Sequence, residues 1–177
     1  MKVTLSVKEV KLTKPVATIA RIKEIQKSGM PEARALKDFA SEYVESAERI
    51  ETTQEAYENY QRNGLGLGCY AEGMLVAYIF AVFGGENRIG QELGYSDKVV
   101  AQSIDICEVV VHPEYWGNGL RMLLTGVVED IAKQVALKKA FIKCVNYVNN
   151  VEKLKKQGYT DKSQCEGGEI HILEKNL

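Results

Sequence analysis

The stretch from Val109 to Leu124 reads VVVHPEYWGNGLRMLL and carries the most chemistry-bearing pattern in the chain. A β-branched run stops at Pro113, and a turn containing Gly117, Asn118 and Gly119 feeds directly into residues with helical spacing. The first turn of a helix leaves backbone N–H groups without intrahelical partners and bears partial positive charge. Glycines at that point remove the side chains that would hold a phosphate away from those amides. The pattern suits a pyrophosphate gripped by main chain. Two other phosphate loops fit poorly. No Lys-Ser or Lys-Thr follows the glycines, as a Walker loop requires, and the third glycine of a dinucleotide fingerprint would fall on Met122.

The same residues resemble motif A of the GNAT-type N-acetyltransferases, written Gln/Arg-x-x-Gly-x-Gly/Ala after a strand ending Val-x-Pro. Val111-His112-Pro113 and Trp116-Gly117-Asn118-Gly119-Leu120 carry the match. Trp116 stands where Gln or Arg is usual, and Arg121 stands where a small residue is usual. The resemblance implies an α/β fold, with a mixed, mostly antiparallel sheet of about six to seven strands and helices on both faces. It also implies acetyl-CoA as cosubstrate and an amine as acceptor. Val109, Val110 and Val111 would lie along the pantetheine arm, with Val109 and Val111 pairing with its amides through their backbone. An N–H at Val109 would polarise the thioester carbonyl. The amides of Gly117, Asn118, Gly119, Leu120 and Arg121 would hold the pyrophosphate, with Trp116 also among the cofactor-binding residues, the Arg121 side chain reading equally as an exposed helix residue.

Direct attack by an amine needs a base. The resemblance places a strand carboxylate at Asp105, which shares a strand face with Val109 and Val111, whereas Glu108 points the other way. Asp105 is therefore preferred, its alternative role being to bind substrate or end the strand. The acid that would protonate the thiolate falls, by the same resemblance, on Leu154, so Tyr147 is the stand-in, with ordinary packing as its alternative. An asparagine of the family falls at Asn149 or Asn150. Lys153, Lys155 and Lys156 read as a solvated helix face. The rival to an enzyme is a non-catalytic acyl-CoA-binding or partner-binding domain on the same fold. Homodimers are common among proteins of this kind, although no residue here specifies an interface.

These readings need a scaffold, and the bulk properties allow one. The chain has 177 residues, 45% hydrophobic and 27% charged, enough for one domain spanning 1–177 with a real core. A formal net charge of -1 offers no global field for nucleic acid. The apolar run from Leu75 to Phe83 falls well short of the roughly 20 residues that cross a membrane. Cys69, Cys107, Cys144 and Cys165 are widely spaced, and His112 and His171 lack partners at metal-ligand spacing. A cytoplasmic protein without disulfides or metal is expected.

Along the chain, Val3, Leu5 and Val7 alternate as a first strand. Thr13-Lys14-Pro15 opens a helix carrying Val16, Ile19, Ile22 and Ile25 and stopped at Gly29. Pro31 opens a second helix with Leu36, Phe39, Tyr43 and Val44 on one face, and 53–62 reads as a third. Two strands, 65–71 and 74–83, flank the Glu72-Gly73 hairpin, and 84–103 is loop with a short helix. A strand over 103–112, a helix over 119–135, a strand over 140–145 and a helix over 149–157 follow. Two strands around Gly167-Gly168 close the chain.

Overall fold

The computed structural model describes residues 8–13, 18–43, 58, 60, 62–84, 89–145, 150–163 and 170–177. Eight strands lie in the order β1-β2-β3-β4-β5-β6-β8-β7. They are β1 (Lys8–Leu12), β2 (Thr18–Glu24), β3 (Gly64–Ala71), β4 (Met74–Phe83), β5 (Ser103–Val111), β6 (Lys139–Val145), β7 (Thr160–Asp161) and β8 (Ile170–Asn176). The helices are α1 (Met30–Ser41), the short α2 (Ile89–Glu92) and α3 (Asp97–Val100), α4 (Leu120–Gln134) and α5 (Asn150–Lys156). The chain divides into two compact units, Met1–Phe80 with Glu108–Thr125, and Ala81–Cys107 with Gly126–Leu177.

In the first unit, β2 pairs antiparallel with β1 and with β3, setting Ile22 opposite Cys69 and Ala20 opposite Ala71. This corrects the helix expected from Val16 to Ile25. Ala20 and Ile22 are fully buried while Ile19 is 59% exposed. A helical stripe would have hidden Ile19 together with Ile22; the period-two alternation of Thr18-Ile-Ala-Arg-Ile-Lys-Glu24 prevails instead. The residues before it, 14–17, and the first strand expected at Val3, Leu5 and Val7 lie outside the described residues. Because 18–24 is a strand, the sheet has eight strands among the described residues rather than six to seven. The second expected helix is present as α1, with proline in its first turn and Met30, Ala33, Leu36 and Ala40 buried. It stops short of Tyr43, and Val44 lies outside the described residues. The hairpin is as expected, its turn residues Glu72 and Gly73 both having positive φ. Tyr60 stacks on Phe80 with ring centroids 4.9 Å apart.

In the second unit, β5 and β6 pair parallel from Ser103↔Lys139 to Ile106↔Ile142. β6 pairs antiparallel with β8 along its whole length, and β8 with β7. Ile104, Ile106, Phe141, Leu154, Tyr159 and Leu173 are buried here. The segment after β4 holds two short helices where one was expected. It is held close to the strands by the Gly84 N–H, which donates to the Ser103 carbonyl at 2.8 Å. A Cβ at Gly84 would sit 2.1 Å from the Val100 carbonyl oxygen, and backbone cannot swing aside as a side-chain end can. Gly84→Ala is therefore expected to cost about 3 kcal/mol, in the upper range for overpacking. Thermal or urea unfolding checks this; a variant as stable as the parent would show that the contact relaxes freely.

Candidate functional site

The turn after β5 is built by local hydrogen bonds. His112 caps a 3-10 turn, Pro113–Tyr115, by accepting the Glu114 N–H on its Nδ1. The Trp116 N–H then donates to the Pro113 carbonyl at 3.1 Å. Gly117 and Gly119 follow with φ of 87° and 71°, a region that costs side-chain-bearing residues energy. The φ at position 119 favours glycine, and a Cβ there would meet no atom of the described residues within 4 Å beyond its chain neighbours.

The Asn118 side chain fastens this turn from both sides. Its Oδ1 accepts the Thr13 N–H at 2.8 Å and the Thr13 hydroxyl at 3.0 Å, and its Nδ2 donates to the Tyr115 carbonyl at 2.9 Å. Asn118 thus shapes the loop with its side chain. Helix α4 starts at once, with the Leu123 N–H on the Gly119 carbonyl and no acidic residue in the first turn. Leu120 and Leu124 are buried and anchor that end of the helix. Among the described residues, the amides of Gly117, Gly119 and Leu120 donate no hydrogen bond. An anion seated on this turn would meet amides and dipole of the right sign.

The end of β5 has its own geometry. The last β5·β6 register pair is Ile106↔Ile142, and β5 continues to Val111. The His112 N–H donates to the Val76 carbonyl of β4 at 2.9 Å. Across a trans peptide the preceding carbonyl points the opposite way, so the Val111 C=O faces away from β4. By strand alternation the N–H and C=O of Val109 share that outer side, and those of Val110 face β4. Val109 and Val111 therefore turn their backbone N–H and C=O groups away from β4. The Val110 backbone is turned the other way. The Val111 carbonyl already accepts the Trp116 indole N–H at 2.9 Å.

Two carboxylates on β5 differ sharply. Glu108, in the first unit, accepts the Tyr78 hydroxyl on Oε1, and its Oε2 lies 3.3 Å from Lys37 Nζ on α1. Neither partner was legible in the sequence, since nothing local ties Lys37 or Tyr78 to this strand. Asp105, in the second unit, is 1% exposed, and neither of its oxygens accepts a well-formed hydrogen bond among the described residues. Burial raises its pKa to about 8; the Ile89 backbone N–H offsets part of this, and the nearby Glu92 charge adds to it. Leu154, on α5, is 2% exposed in the core of the second unit. Asn150 begins α5 in that unit, and Lys155 on the same helix pairs with Glu152 at 3.0 Å. Tyr147 and Asn149 lie outside the described residues. No described helix is long and apolar enough to cross a membrane. Among the described residues no three His, Cys, Asp or Glu side chains converge as metal ligands.

No family model matches this sequence, and neither does any curated protein. Solved structures do resemble it. The GNAT domain of S. lividans PAT superposes with a TM-score of 0.69 at 16% identity, covering 96% of this chain and 97% of that one. The PaiA N-acetyltransferase of Thermoplasma acidophilum, in complex with coenzyme A, gives 0.67 at 16% identity over 89% of this chain and 99% of that one. The ribosomal-protein-S18-alanine N-acetyltransferase of Escherichia coli gives 0.67 at 12% identity over 89% and 94%. With strand, glycine turn and helix in the order described, the chain has the fold of the GNAT N-acetyltransferases.

Proposed function

We propose that residues 1–177 form a single N-acetyltransferase domain that moves the acetyl group of acetyl-CoA to a primary amine of an acceptor. The observation that carries this is the turn itself. Gly117 and Gly119 adopt positive φ directly before α4, next to a strand edge formed by Val109 and Val111. Coenzyme A joins a pyrophosphate to an arm with amides, and these two features match its two parts. Its presence in the PaiA complex supports the same reading. Cys69, Cys107 and Cys144 form no disulfide among the described residues, which suits a reducing, cytoplasmic setting.

When bound, acetyl-CoA supplies an activated acetyl group whose thioester C–S bond breaks as the new N–C bond forms. Main-chain amides from Gly117 to Arg121 hold the pyrophosphate. The Val109 N–H, directed away from β4, donates to the thioester carbonyl and favours the charge that develops there. Asp105 takes the proton the amine must lose, through water because of its burial. A carboxylate with a pKa near 8 is a far better match to an amine than one near 4. Tyr147 remains the candidate to return a proton to the departing thiolate. One observation favours the rival, a domain that binds acyl-CoA without turnover: the position expected to hold the acid is the buried Leu154. Release of free thiol over a panel of amines separates the two, because both bind coenzyme A and only one consumes its acetyl form.

Gly119→Ala is expected to weaken acetyl-CoA binding at least about tenfold while costing only about 1 kcal/mol of stability, the penalty of a side chain at positive φ. Calorimetric titration beside a melting curve checks both halves, and an unchanged affinity counts against the turn as the phosphate site. Asp105→Asn is expected to lower kcat about a hundredfold with little change in the KM for acetyl-CoA. In the parent, kcat/KM should climb with pH through about 8, and the variant should lack that limb. The same group leaves a mark on stability. Folded Asp105 keeps its proton up to about pH 8, whereas the unfolded chain releases it near pH 4. The folded state thus holds the extra proton between these values, and stability falls as pH rises through that window. Melting temperatures of parent and Asp105→Asn across pH 4 to 8 report this; parallel curves would contradict it.

A further inference from the structure

Trp116 is the one tryptophan in the chain, and it occupies a position that the pyrophosphate reading does not explain. The residue is 41% exposed, high for so large an apolar side chain. Its indole Nε1–H donates to the Val111 carbonyl at 2.9 Å. That carbonyl is turned away from β4, on the outer edge where an amide-bearing arm would add as an extra strand.

We propose that Trp116 is a positioning residue for the arm of the acyl carrier: its indole caps the Val111 carbonyl in the free protein and yields it to an arm amide on binding. The inference rests on the acetyl-CoA reading and goes beyond it. An open strand edge invites pairing with any extended chain, and capping its last acceptor limits that pairing. A ligand able to replace the indole bond with one of its own loses nothing by the exchange, whereas a ligand without a donor at that point leaves the cap in place. Trp116 thereby reads the arm, and the glycine turn reads the phosphates.

The consequence is measurable with two probes, coenzyme A and 3′-phospho-ADP, which is the carrier's nucleotide without its arm. Since no other tryptophan contributes, emission reports Trp116 alone. Coenzyme A is expected to shift the emission maximum, and 3′-phospho-ADP to leave it unchanged. Trp116→Phe keeps a ring but removes the competing N–H. It should bind coenzyme A about three- to tenfold more tightly, the worth of one net hydrogen bond, with 3′-phospho-ADP affinity unaltered and the melting temperature lowered by no more than that same bond is worth. An equal emission shift with 3′-phospho-ADP, or coenzyme A binding to Trp116→Phe that is unchanged or weaker, overturns the proposal and leaves the acetyl-CoA reading standing. If the parent protein binds neither probe, the acetyl-CoA reading falls and takes the proposal with it.

Discussion

The constraint on which the site depends is the end of one ladder. β5 runs parallel to β6 only as far as Ile106↔Ile142, yet its chain stays extended to Val111. Backbone donors and acceptors are obligatory hydrogen-bonding groups, and a strand that outlasts its ladder must satisfy them elsewhere. On the β4 side the His112 N–H still finds the Val76 carbonyl. On the outer side the chain answers with a side chain, the Trp116 indole on the Val111 carbonyl. The glycine turn then starts α4 in time for its first amides to close the sequence of unpaired donors. Strand edge and helix start are thus consecutive parts of one stretch of main chain.

Main-chain recognition demands a rigid loop, because flexible amides lose binding energy to ordering. The rigidity here comes from Asn118, whose amide spends both ends on Thr13 and Tyr115. Thr13 lies just beyond β1, 105 residues away in sequence, so the end of one strand helps to hold the turn beyond another. The departures from the family pattern at positions 116 and 121 are compatible with this arrangement. Binding by backbone amides tolerates a change of side chain as long as the loop keeps its shape.

How much of this was legible in the sequence follows from the range of each interaction. The Glu72-Gly73 hairpin, the strand that stops before Pro113, the glycine turn and α4 are written in neighbouring residues, and all were legible. β2 was not. Its apolar residues fit a three-residue spacing as well as a two-residue one over so short a run, and pairing with β1 and β3 decides between them. The Asn118–Thr13 tie and the grip of Tyr78 and Lys37 on Glu108 depend on tertiary contacts that no local pattern announces. Asp105 was preferred over Glu108 on the family resemblance together with strand alternation, neither of which shows what each carboxylate touches.

The contrast between those two carboxylates shows how one strand can give like groups unlike chemistry. Glu108 is surrounded by a hydroxyl and an ammonium that stabilise its charge, so it suits holding α1 to the strand. Asp105 has lost its water and gained no equivalent partner among the described residues, so its charged form is the costly one. A protein gains nothing in stability from such a group, since an apolar residue of similar volume would avoid the penalty. Under the proposed function that expense has a use: a proton acceptor tuned toward an amine needs such a carboxylate, and Asp105 stands three residues before a glutamate already committed to holding the fold.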